Sequence, residues 1–275
     1  MLISIIIAAV YGLIFGSFAN AVAYRVPTGE TLWSRSHCPK CEAQIHWWQN
    51  IPVLSWIALR GKCANCKNPI SVQYPVIELL TSVLFGLMAW RTVSLYGASD
   101  NWNVYAMVAA VLIGITLCYF AFIGVVLSII DLKTQRLPDV LVLPTFVVSL
   151  VLLSAAALLI DEPSRILTMV ICAVVSSFLY SILWFFFPNG FGFGDVKLML
   201  VVGAILGWFS VGQAVLGVML PFIILSVVAL PLMLVKIVGR KTKAPLGPWI
   251  IFGAVISIMF GDIIVNTYLS VGGFQ

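Results

Sequence analysis

The sequence predicts an all-α polytopic membrane protein of about eight transmembrane helices, with a small zinc-stabilised cytoplasmic insert after the first helix. Three observations predict this. Of the 275 residues, 62% are hydrophobic and only 9% charged, whereas soluble domains are about a quarter charged. The apolar residues gather in eight runs, near 4–24, 76–95, 104–130, 140–160, 166–187, 197–210, 213–235 and 249–270. Most of these approach the roughly 20 residues needed to cross hydrocarbon, and unbroken runs suit helices rather than alternating barrel strands. Finally, the one long polar stretch, 25–75, holds four cysteines in two pairs.

The elements follow in order. The first run lacks a basic leader and a small-residue cleavage site, which predicts a retained span rather than a cleaved signal. The second opens with Tyr74-Pro75 and contains an acid, Glu78, whose role stays open. The sixth is short, and Gly203 and Gly207 inside it argue against a straight helix. These segments divide the chain into a first span (1–24), a cytoplasmic tetra-cysteine subdomain (25–75) and a transmembrane domain (76–275).

Basic residues set the orientation. Arg25, Arg35, Lys40, Arg60, Lys62 and Lys67 follow the first run, Lys133 and Arg136 the third, Lys197 the fifth, and Lys236, Arg240, Lys241 and Lys243 the seventh. Thirteen of the 15 Lys and Arg thus fall on one face, leaving Arg91 and Arg165 on the other. The expectation is a multi-pass membrane protein with its basic loops cytoplasmic and both termini on the outer side. The net charge of +5 is then a topology signal and an attraction to anionic membrane lipid. Scattered over separate loops, it is no nucleic-acid footprint.

Cys38-Pro-Lys-Cys41 and Cys63-Ala-Asn-Cys66 lie 21 residues apart, slightly wider than the usual zinc-site gap of about 15–20. Each pair supplies two thiolates from one turn, and two turns complete a tetrahedron. A stretch of about fifty residues has little core of its own, so a structural Zn2+ would hold it together. The alternatives are two disulfides, disfavoured on a reducing face, or four free thiols. Cys118 and Cys172, inside apolar runs, read as small buried hydrophobes. His37 and His46 read as loop residues, and Trp47, Trp48 and Trp56 as packing or interfacial anchors.

Asp131 ends the third run. Asp195 follows the fifth, within Gly192-Phe-Gly194-Asp195-Val-Lys197. Two crossings separate them, so both fall on the same face. An acid at the edge of hydrocarbon is a functional-site hypothesis by default. Two carboxylates in one site share a proton, letting one act as base and the other as acid. Glycines 190, 192 and 194 are expected to allow close backbone approach and positive φ. Lys197 either steadies a carboxylate or anchors the chain at the interface. Taken singly, each acid has a plainer reading: Asp195 as a helix N-cap, Asp131 as a helix-end charge, and Asp139, after Pro138, as a better cap than either. Asp100, Asp161 and Glu162 read as solvated loop charge.

These segments together resemble the type IV prepilin peptidases, bifunctional leader peptidase/N-methyltransferases of bacterial inner membranes. The resemblance runs through Gly16-Ser17-Phe18-Ala-Asn20, Arg25-Val-Pro27 and Cys38-Pro-Lys-Cys41. It continues through Asn50-Ile-Pro-Val-Leu-Ser-Trp56, Arg60-Gly61-Lys-Cys63, Tyr74-Pro75-Val-Ile-Glu78, the Asp131 to Pro138-Asp139 segment and Gly192 to Lys197. It implies a GxGD-type aspartic protease with Asp131 and Asp195 catalytic and Gly192, Gly194 and Lys197 in the active-site loop. The substrates it implies are prepilins or pseudopilins, cut at the cytoplasmic face and then methylated at the new N-terminus from S-adenosyl-L-methionine. The tetra-cysteine insert matches the bifunctional branch; preflagellin peptidases lack it. One departure is Leu246 before Gly247-Pro248, where the family often has an aromatic.

No Gly-x-Gly-x-x-Gly turn follows a strand, so no Rossmann-type donor site is present, and the residues that bind the methyl donor are unassigned. Two rivals remain at the level of sequence. One is a peptidase without methyl transfer. The other is a transporter or assembly scaffold whose acids are ion ligands or caps, although the chain shows no internal repeat of the transporter kind.

Overall fold

The structure is a computed structural model describing residues 2–32, 34–38, 40–96, 103–187, 190–234 and 245–272. Lys236, Arg240, Lys241, Lys243 and Asp100 lie outside the described residues. The elements are α1 (Leu2–Thr28), a 3-10 turn (Trp47–Asn50), α2 (Leu54–Ala58), α3 (Gln73–Tyr96), α4 (Val104–Thr134), α5 (Asp139–Leu159), α6 (Ser164–Phe186), α7 (Phe193–Phe209), α8 (Val211–Leu234) and α9 (Gly247–Val271). All eight apolar runs become helices. Seven are long and apolar enough to cross a membrane; the eighth, α7, has 17 residues.

Two compact units form, Met1–Gly97 with Leu117–Val126, and Ala98–Thr116 with Leu127–Gln275, so different stretches of α4 serve each. In the first unit α1 and α3 pair antiparallel, because α1 presents a strip of small residues. A Cβ at Gly12 would stand 2.6 Å from the Ser82 Cα, and one at Gly16 2.6 Å from the Glu78 Cα. The Ser82 hydroxyl donates to the Ala9 carbonyl at 2.8 Å, and the Asn20 amide to the Gly16 carbonyl at 3.2 Å.

In the second unit α7 is the hub, touching α5, α6, α8 and α9. Every residue from 201 to 208 is buried. It runs antiparallel to α6 in one register: Ser177 Oγ donates to the Val196 carbonyl at 3.1 Å, and Arg165 Nη1 to the Trp208 carbonyl at 3.0 Å, twelve residues further along each helix. Gly203 and Gly207 do not interrupt the helix, contrary to the expectation above. A Cβ there would stand 2.6 Å from the Cys172 carbonyl and 2.7 Å from its Cβ, so the glycines let α6 come close. That packing offsets a helix-propensity cost of about 1 kcal/mol each. Arg165 is also ion-paired with Glu162, which is exposed as expected.

Candidate active site

Asp131 lies in the last turn of α4. That helix stops when Gln135 turns left-handed (φ 52°) and its N–H bonds the Asp131 carbonyl at 2.9 Å. A carboxylate at a helix C-terminus meets the unfavourable end of the dipole. Here it is compensated from another helix: the Gly247 N–H, in the first turn of α9, donates to Asp131 Oδ2 at 2.9 Å. First-turn amides have no acceptor within their own helix. Asp131 is 5% exposed.

Asp195 occupies the first turn of α7, where a carboxylate is favoured. It caps this helix from its third residue, with Oδ2 accepting the Gly192 N–H at 2.9 Å. The N-cap itself is Gly192, with φ −88° and ψ 148°. Among the described residues the positive-φ glycines are Gly29 and Gly61, so the expectation of positive φ at 190, 192 and 194 does not hold. Steric room explains the glycine at 194: a Cβ there would stand 2.8 Å from the Leu137 Cβ. Asp195 is 7% exposed and feels the charge of Asp131. The two acids thus belong to one unit, each bonded to a glycine N–H at a helix N-terminus.

Lys197 does not bond either acid. Its Nζ lies 2.7 Å from both carboxylate oxygens of Asp139 and 4.9 Å above the Phe193 ring. Asp139 is therefore not the cap of α5, a place held by Pro138, but the first residue of the helix and a partner in an ion pair. Tyr180 is fully buried against Phe191 and Phe222 and lies within electrostatic reach of Asp195.

The first unit brings the four cysteines together. Their sulfurs lie within 4.8 Å of one another, with Cys38 and Cys66 Sγ 3.9 Å apart. Four thiolates about 2.3 Å from one zinc would sit about 3.8 Å from each other, so the donor set fits that ion. The two cysteine turns are built alike, 25 residues apart. Cys38 N–H bonds the Ala43 carbonyl and Cys63 N–H that of Asn68, while Glu42 and Lys67 both adopt positive φ. Backbone N–H groups of Lys40, Ala43 and Cys66 lead in lowering the Cys38, Cys41 and Cys63 thiols respectively, which favours thiolate. Cys66 has an N–H donor in Asn68 but is pushed up to about 11 by desolvation and its three neighbours.

Glu78, left open above, is 6% exposed and accepts the Val53 N–H at 2.7 Å. Val53 has φ 61° and ψ −50°, and Leu54 N–H closes on the Pro52 carbonyl at 2.6 Å. This is a strained γ-turn with a β-branched residue at its centre, held by a buried carboxylate that ties the insert to α3.

Sequence reasoning missed Gly247, Asp139 as partner of Lys197, and Asp262, which accepts from Gln213 Nε2 between α8 and α9. A signal for the first existed: Gly-Pro before an apolar run marks a helix start. Leu246, the departure noted above, is buried and stands at the N-cap of α9.

Residues 10–92 match the Bacterial Peptidase A24 N-terminal domain, and residues 118–271 match the Type IV leader peptidase family. Among curated proteins, the chain is similar to the prepilin leader peptidase/N-methyltransferase of Pseudomonas putida, with 32% identity over 98% of this chain and 95% of the relative. It is likewise similar to those of Neisseria gonorrhoeae (34%, over 90% of each chain) and Pseudomonas aeruginosa (32%, over 96% and 93%). No solved structure gives a significant match.

Proposed function

The chain belongs to the type IV leader peptidase family, and on that premise we propose that it removes prepilin and pseudopilin leaders through Asp131 and Asp195, then methylates the new N-terminus. The relatives carry both activities in their name. The observation that supports the residue assignment is the pairing itself. Two buried acids of one unit, from α4 and α7, with Asp195 in the field of Asp131, each take a glycine N–H on Oδ2, which leaves Oδ1 of each for substrate or water.

One carboxylate, ionised, takes a proton from water while the oxygen attacks the scissile carbonyl carbon. The other, protonated, hydrogen-bonds the carbonyl oxygen and stabilises the developing charge. Collapse breaks the C–N bond, and the leaving amine takes up the proton held by the base. Gly247 and Gly192 hold the carboxylates in place throughout. The reaction face is the cytoplasmic one, as the basic loops indicate, with both termini across the membrane.

In the first unit, Cys38, Cys41, Cys63 and Cys66 would hold one structural Zn2+, since four thiolates leave no open position for chemistry. S-adenosyl-L-methionine supplies the methyl group when bound. Methyl transfer falls to the N-terminal unit, whose tetra-cysteine insert distinguishes bifunctional relatives.

Purified Asp131→Ala and Asp195→Ala variants in detergent test the peptidase reading. Each is expected to leave a prepilin uncut, and full cleavage by either overturns it. Mass spectrometry of the processed N-terminus tests methylation, and an unmethylated product would reduce the protein to a peptidase.

A further inference from the structure

We propose that the Asp139–Lys197 ion pair is a positioning strut that sets Asp195 against Asp131. The inference rests on the assignment of those two acids as the reacting pair. Each acid stands beside one end of the strut. Asp131 is followed by the helix stop at Gln135, a short connector, and Asp139 as the first residue of α5. Asp195 is followed two residues later by Lys197 on the same first turns of α7. The connector and the Gly-rich loop already touch, because Leu137 fills the space where a Cβ of residue 194 would go. That contact fixes separation but not rotation or slide. Lys197 supplies the missing constraint, with Nζ equidistant from both Asp139 oxygens at 2.7 Å and 4.9 Å from the centroid of the Phe193 ring.

Exposure separates a positioning role from a stabilising one. The Asp139 and Lys197 side chains are 53% and 26% exposed, and ion pairs this open to solvent contribute little to folding. Asp139 also lies in the first turn of α5, where its charge is favoured without any partner. Nothing in the fold therefore needs the pair. Chemistry does, because misplacing a catalytic group by about 1 Å costs roughly a hundredfold in rate. Lys197 is bonded to Asp139 and the Asp195 oxygen to Gly192, so the lysine acts on the reacting acid through the backbone of α7.

The test is leader cleavage by Lys197→Met, Asp139→Asn, Lys197→Arg and the charge-swapped double variant Asp139→Lys/Lys197→Asp, with Asp195→Asn alongside. The single neutralising variants are expected to lose about 2- to 5-fold in kcat, the most a pair this exposed can hold in place, with KM and melting temperature nearly unchanged. Lys197→Arg and the swapped variant should recover nearly the wild-type kcat, with the wild-type pH profile. A lysine that touched substrate or an aspartate directly would not be rescued by reversing the pair. Singles that cleave normally, or a swapped variant no better than its parents, overturn the strut while Asp195→Asn remains inactive. Cleavage by Asp195→Asn would instead overturn the aspartate assignment, and the strut with it.

Discussion

Replacing Gly247 with alanine is the smallest change that reaches the proposed chemistry without altering a charged group. A Cβ at this position would stand 2.8 Å from Asp131 Oδ2, 3.2 Å from its Cγ and 3.4 Å from its Cβ. The first distance is shorter than real Cβ contacts, so either the carboxylate rotates away or the start of α9 withdraws. Both movements break the 2.9 Å bond from the Gly247 N–H to Oδ2. A hydrogen bond to a charged group is worth about 1.5–3 kcal/mol. If that loss falls on the reacting geometry, kcat should drop roughly 10- to 150-fold, at about 1.4 kcal/mol per tenfold. The assay is single-turnover leader cleavage by detergent-purified protein, with thermal unfolding in parallel. Gly86→Ala serves as control, since a Cβ there meets only side-chain carbons at 3.8 Å. An unchanged rate for Gly247→Ala in folded protein would refute the claim that this amide positions Asp131.

Three further outcomes follow from the same geometry. Replacing Cys38 and Cys41 together with serine, or adding a strong chelator, should remove one zinc per chain and unfold the insert. Because the ligands must be thiolates, acidification should likewise release zinc; metal analysis across pH reads this, and less than one zinc at neutral pH would count against the site. Gly207→Leu should destabilise the second unit by about 1–3 kcal/mol by forcing α6 from α7, measured by denaturant or thermal unfolding. Glu78→Leu leaves the half-buried Val53 N–H without its acceptor, a cost of about 1–3 kcal/mol. That loss should appear as easier proteolysis within 46–72 than in Glu78→Gln, which keeps an acceptor oxygen.

Legibility varied with the range of the interaction. Asp131, Asp195 and the cysteine pairs stood out because an acid at an apolar boundary and a two-residue thiol spacing are local signals. Gly203 and Gly207 were misjudged because propensity within one helix says nothing of what α6 presents to it. Glycines 192 and 194 were expected to serve backbone conformation. Neither has a positive φ; Gly192 is the N-cap, where a Cβ would make only an ordinary contact, and it is the smallness of Gly194 that is used, against Leu137. Lys197 was ambiguous because its partner lies 58 residues away.

The sequence by itself determined the helical spans and the candidate chemistry. Hydrocarbon forces the backbone to satisfy its own hydrogen bonds, so an apolar run has one outcome, and acids are too costly there to be incidental. Tertiary structure alone decided how the acids are held. The Gly247 amide meets Asp131 from 116 residues away, and Lys197 meets Asp139 rather than either acid. Such pairings depend on the register at which helices pack, which close contacts between small residues set in three dimensions and no periodicity along the chain encodes.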